Sequence, residues 1–170
     1  MSPGRSAAST GGVMVFDHTA DVGLAVKGAG REELFLWAAR GLARVALDPA
    51  WLRRAERRPG DEPAVRLLEV LLGPAPDLEA LLVHWLNHLI YLLETERLAV
   101  VDGELTIEDI GEEHAEGSSP GSVRLRGTVR AVPVPPGAQR IAVKAATFHG
   151  LAVKGPRADG GYTARIVLDV

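Results

Sequence analysis

The chain has 170 residues, 46% of them hydrophobic, and a formal net charge of −3. That length and apolar content suit one packed domain, and the charge gives no sign of a broad nucleic-acid-binding surface while leaving room for a local basic patch. It has no cysteine, which excludes disulfides, thiol nucleophiles and thiolate metal sites, and no apolar run is long enough to predict a transmembrane helix. Residues 1–12 are rich in Ser, Gly and Ala and lack the apolar stretch of a signal peptide. They read as a disordered tail ahead of a single domain at 13–170, with a cytoplasmic location as the expectation.

Val13 to Phe16 reads as a first strand, and the alternation of Val22, Leu24 and Val26 with Gly23, Ala25 and Lys27 predicts a second. Between them, Asp17, His18, Thr19 and Asp21 put two carboxylates, an imidazole and a hydroxyl into five residues. Gly28-Ala29-Gly30 breaks the pattern, and Arg31 to Leu47 has helical spacing at Leu34, Ala38 and Leu42, ended by Asp48-Pro49. Arg53 to Pro63 reads as a charged loop, with Arg53, Arg54, Arg57 and Arg58 close together; a solvated loop and an RNA or anion contact both fit.

Val65 to Leu72 is a predicted strand, and Gly73-Pro74-Ala75-Pro76 a break. Asp77 can cap a long core helix from Leu78 to about Arg97, with Leu78, Leu81, Leu82, Trp85, Leu89 and Leu92 at helical spacing. His84 and His88 lie four apart on it. The residue after His84 is Trp85 rather than the Glu of a zinc-protease pattern, so a zinc site is the weaker reading. Val100 to Ile110 is a strand interrupted at Val101–Glu104. A polar loop spans Gly111–Gly121. The next strand alternates Val123, Leu125, Gly127 and Val129 with Arg124, Arg126 and Arg130. After the break at Pro133–Gly137, Ile141–Val153 and Gly161–Val170 form a hairpin around Asp159-Gly160. Strands, helix, strand, helix and then strands alone imply an α+β fold: a mixed, largely antiparallel sheet with two main helices packed on it.

A structural turn is one reading of the Asp17–Asp21 cluster. The other comes from Asp169 and Val170: Asp21, Asp169 and the Val170 carboxylate together would make an all-oxygen cation site, whose hard donors suit Ca²⁺, Mg²⁺ or Mn²⁺.

Two distant segments resemble signatures of the archease family: His18-Thr19-Ala20-Asp21-Val22-Gly23 and Val143-Lys144-Ala145-Ala146-Thr147-Phe148-His149-Gly150-Leu151. The Leu81–Leu89 helix and the Leu168-Asp169-Val170 ending fit in the same order. The family commonly has carboxylates where His84 and His88 stand, and Tyr where Phe148 stands. The resemblance implies a non-enzymatic activator of an RtcB-type RNA ligase. Such an activator promotes loading of GMP onto the ligase's own histidine and sustains multiple turnover in tRNA splicing or RNA repair. RNA would be met only through the ligase, and no membrane is involved. It also implies a metal, calcium first, at Asp21, Asp169 and Val170, with His18, Lys144 and His149 as further functional residues outside the ligand set. A small metal-dependent hydrolase and a metal-independent, chaperone-like module are the alternatives.

Overall fold

Among the described residues, two antiparallel sheets rather than one mixed sheet hold the strands. The computed structural model describes residues 11–18, 21–57, 65–111 and 121–170, with the backbone alone at 17 and 18. Residues 1–10 of the expected tail, 58–63 of the expected loop and most of the 111–121 loop lie outside the described residues.

The first sheet has the order β1-β2-β7-β6, from β1 (Gly12–His18), β2 (Asp21–Gly28), β6 (Ala145–Lys154) and β7 (Tyr162–Asp169). Val22, Leu24 and Val26 of β2 stand in register with Leu168, Ile166 and Ala164 of β7. This alternation is the cause of the pairing: one face is apolar and packs inward, so a one-residue slip would turn it to water. The second sheet has the order β3-β5-β4, from β3 (Arg66–Ala75), β4 (Leu98–Ile110) and β5 (Ser122–Pro133). The Val101–Glu104 interruption is a register shift between Val100 and Asp102 within one continuous strand.

Helices α1 (Arg31–Ala46) and α3 (Leu78–Glu96) each touch strands of both sheets. α3 is buried along Leu81, Leu82, Trp85, Leu86, Leu89 and Leu93, as expected of a helix surrounded by protein. Asp77 caps it, accepting from the Ala80 N–H at 2.7 Å, and Arg97 ends it in the left-handed conformation at φ 57°. Trp85 is fully buried, and its Nε1–H donates to the Phe35 carbonyl of α1 at 2.9 Å. This bond satisfies a group that would otherwise be desolvated without a partner, and it ties the two helices together. At the start of α1, Arg31 pairs with Asp109 at 2.8 Å, and Glu32 accepts from the Ile107 N–H, closing the outer edge of β4.

The first residues of the Arg53–Pro63 segment read as a loop are instead the end of a third helix, α2 (Pro49–Glu56). Asp48 is its N-cap, accepting from the Trp51 N–H at 2.9 Å, and Pro49 is its first residue. The same dipeptide that stops α1 thus starts α2. Leu52 and Ala55 are its buried side, which leaves Arg53 and Arg54 exposed.

Candidate functional site

At one end of the four-stranded sheet, four strands line up in a single row. His18 of β1 is in register with Asp21 of β2, Asp21 with Asp169 of β7, and Asp169 with Ala145 of β6. Asp21 is therefore not in the inter-strand turn expected from sequence; it is the first residue of β2, held in the ladder. Residues directly opposite in an antiparallel pair share a face, with Cβ atoms about 4.5–5.5 Å apart. Val22 and Leu168 face the core, so Asp21 and Asp169 lie on the opposite face.

Both carboxylates are half-buried. Among the described residues neither has a lysine or arginine within ion-pair distance, and no group of three His, Cys, Asp or Glu side chains gathers around a common point. Two like charges opposed on adjacent strands are mutually unfavourable unless a cation lies between them. Val170 follows Asp169 directly, and its half-buried side chain packs against the core. Two opposed carboxylates fit a hard divalent ion and do not fit a thiophilic one.

The second signature meets this row through the backbone. The Lys144 N–H donates to the Asp169 carbonyl at 2.8 Å, while the Lys144 side chain is exposed. Asn87 of α3 brackets the start of β6: its Oδ1 accepts from the Ala146 N–H at 2.9 Å, and its Nδ2 donates to the Ala146 carbonyl at 3.3 Å. This two-bond clamp joins residues 59 apart and fixes β6 beside Asp169. Nothing in helical periodicity marks Asn87 as the residue that makes this clamp. His149 is exposed in the irregular stretch of β6 between Thr147 and Ala152. His84 is exposed and His88 half-buried, and burial holds the His88 imidazole below the ordinary range, favouring its neutral form.

Beside the carboxylates, the Phe16 ring lies across Gly23, where a Cβ would come within 2.1 Å of it. The Arg165 guanidinium covers the same ring at 4.6 Å from its centroid. Gly23 in the first signature is thus required by the close approach of an aromatic ring.

These features define an α+β protein with an acidic pair held between two sequence-distant signatures. The model of the Archease protein family (MTH1598/TM1083) matches residues 14–170. Archease from Methanosarcina barkeri is 30% identical over 155 residues, covering 91% of this chain and 92% of that protein. Archease from Archaeoglobus fulgidus is 32% identical over 154 residues, covering 91% and 96%. The solution structure of Methanobacterium thermoautotrophicum protein 1598 superposes with a TM-score of 0.62 at 27% identity, covering 94% of this chain and 99% of that one. A crystal structure from Thermotoga maritima, described as an archease and possible chaperone, shares the fold at a TM-score of 0.52 and 19% identity. The chain belongs to the archease family. No helix among the described residues is long and apolar enough to cross a membrane.

Proposed function

We propose that this protein is a metal-binding, non-enzymatic activator of an RtcB-type RNA ligase, promoting guanylylation of the ligase histidine and so its multiple turnover. The single observation that carries the reading is the in-register pair Asp21–Asp169, without a cationic neighbour among the described residues, in a chain of this family.

Asp21, Asp169 and the Val170 carboxylate are the proposed ligands of a divalent ion, calcium first, with magnesium or manganese as substitutes. When bound, the ion supplies positive charge that relieves carboxylate repulsion and can face phosphate oxygens. The chain's own residues set the geometry. The β2–β7 ladder fixes the spacing of the two carboxylates. Asn87 and the Lys144 N–H hold β6 against the same strand, leaving the Lys144 ammonium free to reach outward. Docking this end of the sheet on the ligase favours the GMP-loading state only so far as that state binds more tightly than the others. RNA joining by the organism's own ligase tests the reading. With excess RNA, the expected result is product beyond one equivalent of ligase only when this protein is present. Equal turnover in its absence would overturn the proposal.

A further inference from the structure

The arginines around α2 are not used by the acidic site. Residues 40–57 hold five arginines against two carboxylates, in a chain whose net charge is −3. Arg53, Arg54 and Arg57 are exposed, and among the described residues none has an ion-pair partner. One of the two carboxylates, Asp48, is committed to capping α2.

A cleft opens on either side of this helix, and each is walled by a tryptophan. One, of about 390 Å³, lies between Trp51, Arg54 and the Pro133–Pro135 segment. The other, of about 270 Å³, is formed by Trp37, Arg40, Arg44 and Glu56, with Asp102 at its edge. There the Arg40 and Arg44 guanidinium groups cover the Trp37 ring, 4.7 and 5.7 Å from its centroid, and Arg40 also pairs with Asp102 at 3.7 Å, so the open planes in this cleft are guanidinium planes.

We infer that this face binds a single-stranded RNA segment, with phosphates on Arg53, Arg54 and Arg57 and unstacked bases against Trp51 in one cleft and against the Arg40 and Arg44 guanidinium planes in the other. Planar guanidinium groups match phosphate oxygens in a fixed fork. Aromatic walls beside a basic track are the means by which single strands are held without sequence readout. An acidic peptide would use the arginines but has no planar group for the clefts, so the two walls favour nucleic acid. The inference goes beyond ligase activation, in which RNA is met only through the ligase. Only the choice of RNA over other single strands rests on that reading.

The test is fluorescence anisotropy of a labelled 12-nucleotide single-stranded RNA with the full chain, over a salt series from 50 to 200 mM. The expected result is binding at low salt with quenching of tryptophan emission. Arg53→Gln/Arg54→Gln/Arg57→Gln should weaken binding by at least about tenfold and lower the log–log salt slope by about 2, near 0.7 per lost phosphate contact. These side chains are exposed, so the triple variant should melt like the wild type. Arg126→Gln, on the second sheet and paired with Glu108 at 2.7 Å, should bind as the wild type does. Trp51→Phe should lose much of the quenching. No binding at 50 mM salt, equal binding by the triple variant, or equal loss in Arg126→Gln would overturn the inference. So would a polyglutamate peptide that binds as tightly as RNA through the same arginines. Loss of RNA binding with ligase guanylylation still stimulated would leave the activator reading intact.

Discussion

Replacing Asp169 by Asn should change stability with opposite sign in the absence and presence of metal. Asp169 faces Asp21 directly across β2 and β7, and no cation among the described residues offsets the pair. Opposed like charges on adjacent strands cost about 0.2–1 kcal/mol, so in chelator Asp169→Asn should be as stable as the wild type or up to about 1 kcal/mol more stable. In a chain of this size that is a rise in Tm of at most about 2–4 °C. Calcium at a hundred times its Kd should raise the wild type by about 2.7 kcal/mol, or roughly 5–10 °C. The variant should gain less than half of that. Differential scanning fluorimetry in EDTA and over a calcium and manganese series reads both effects, and a C-terminally tagged form, whose Val170 carboxylate becomes an amide, should resemble the variant in metal. Equal metal shifts in all three proteins would refute the reasoning, as would an Asp169→Asn protein several degrees less stable in EDTA.

Trp85→Phe should cost about 2–4 kcal/mol by urea denaturation, from lost core volume together with an unpaired Phe35 carbonyl; a cost below 1 kcal/mol would contradict the Trp85–Phe35 tie between α1 and α3. His88 is held below its ordinary value of 6.5 by burial, so the unfolded chain takes up its proton first as pH falls. Stability from this group is full above about pH 6.5 and declines below it, and His88→Gln should flatten that part of the pH–stability curve. An unchanged slope would mean that another group is responsible. Gly23→Ala should displace the Phe16 ring and free Arg165 at a cost of about 1–2 kcal/mol, seen as a shifted Phe16 ring resonance in NMR spectra; an unshifted ring would contradict the close approach.

What was legible in the sequence was whatever carries a period or a cap. α3 could be read from its leucines and Asp77, and the inward faces of β2 and β7 from alternation. Alternation tells which side of a strand is buried but not which strand lies beside it, so a division into two sheets left no mark. α2 was hidden because Asp48-Pro49 is as good a start as a stop, and the arginines that follow suggested solvent rather than helix. Asp21 and Asp169 were legible as candidates because each is a carboxylate where an apolar strand begins or ends. That they face one another follows from the ladder alone. The Asn87 clamp and the Phe16–Gly23–Arg165 stack were not legible, because each joins residues with no periodic relation.

The most direct test of the account is a guanylylation time course of the organism's own RtcB-type ligase with labelled GTP. It compares no addition, wild-type protein and Asp21→Ala at one molecule per ten ligases. The wild type should accelerate loading at this ratio, while folded Asp21→Ala should leave the rate at the level of ligase alone. Loading that is unchanged by the wild type, or equally accelerated by Asp21→Ala, would contradict the activator reading.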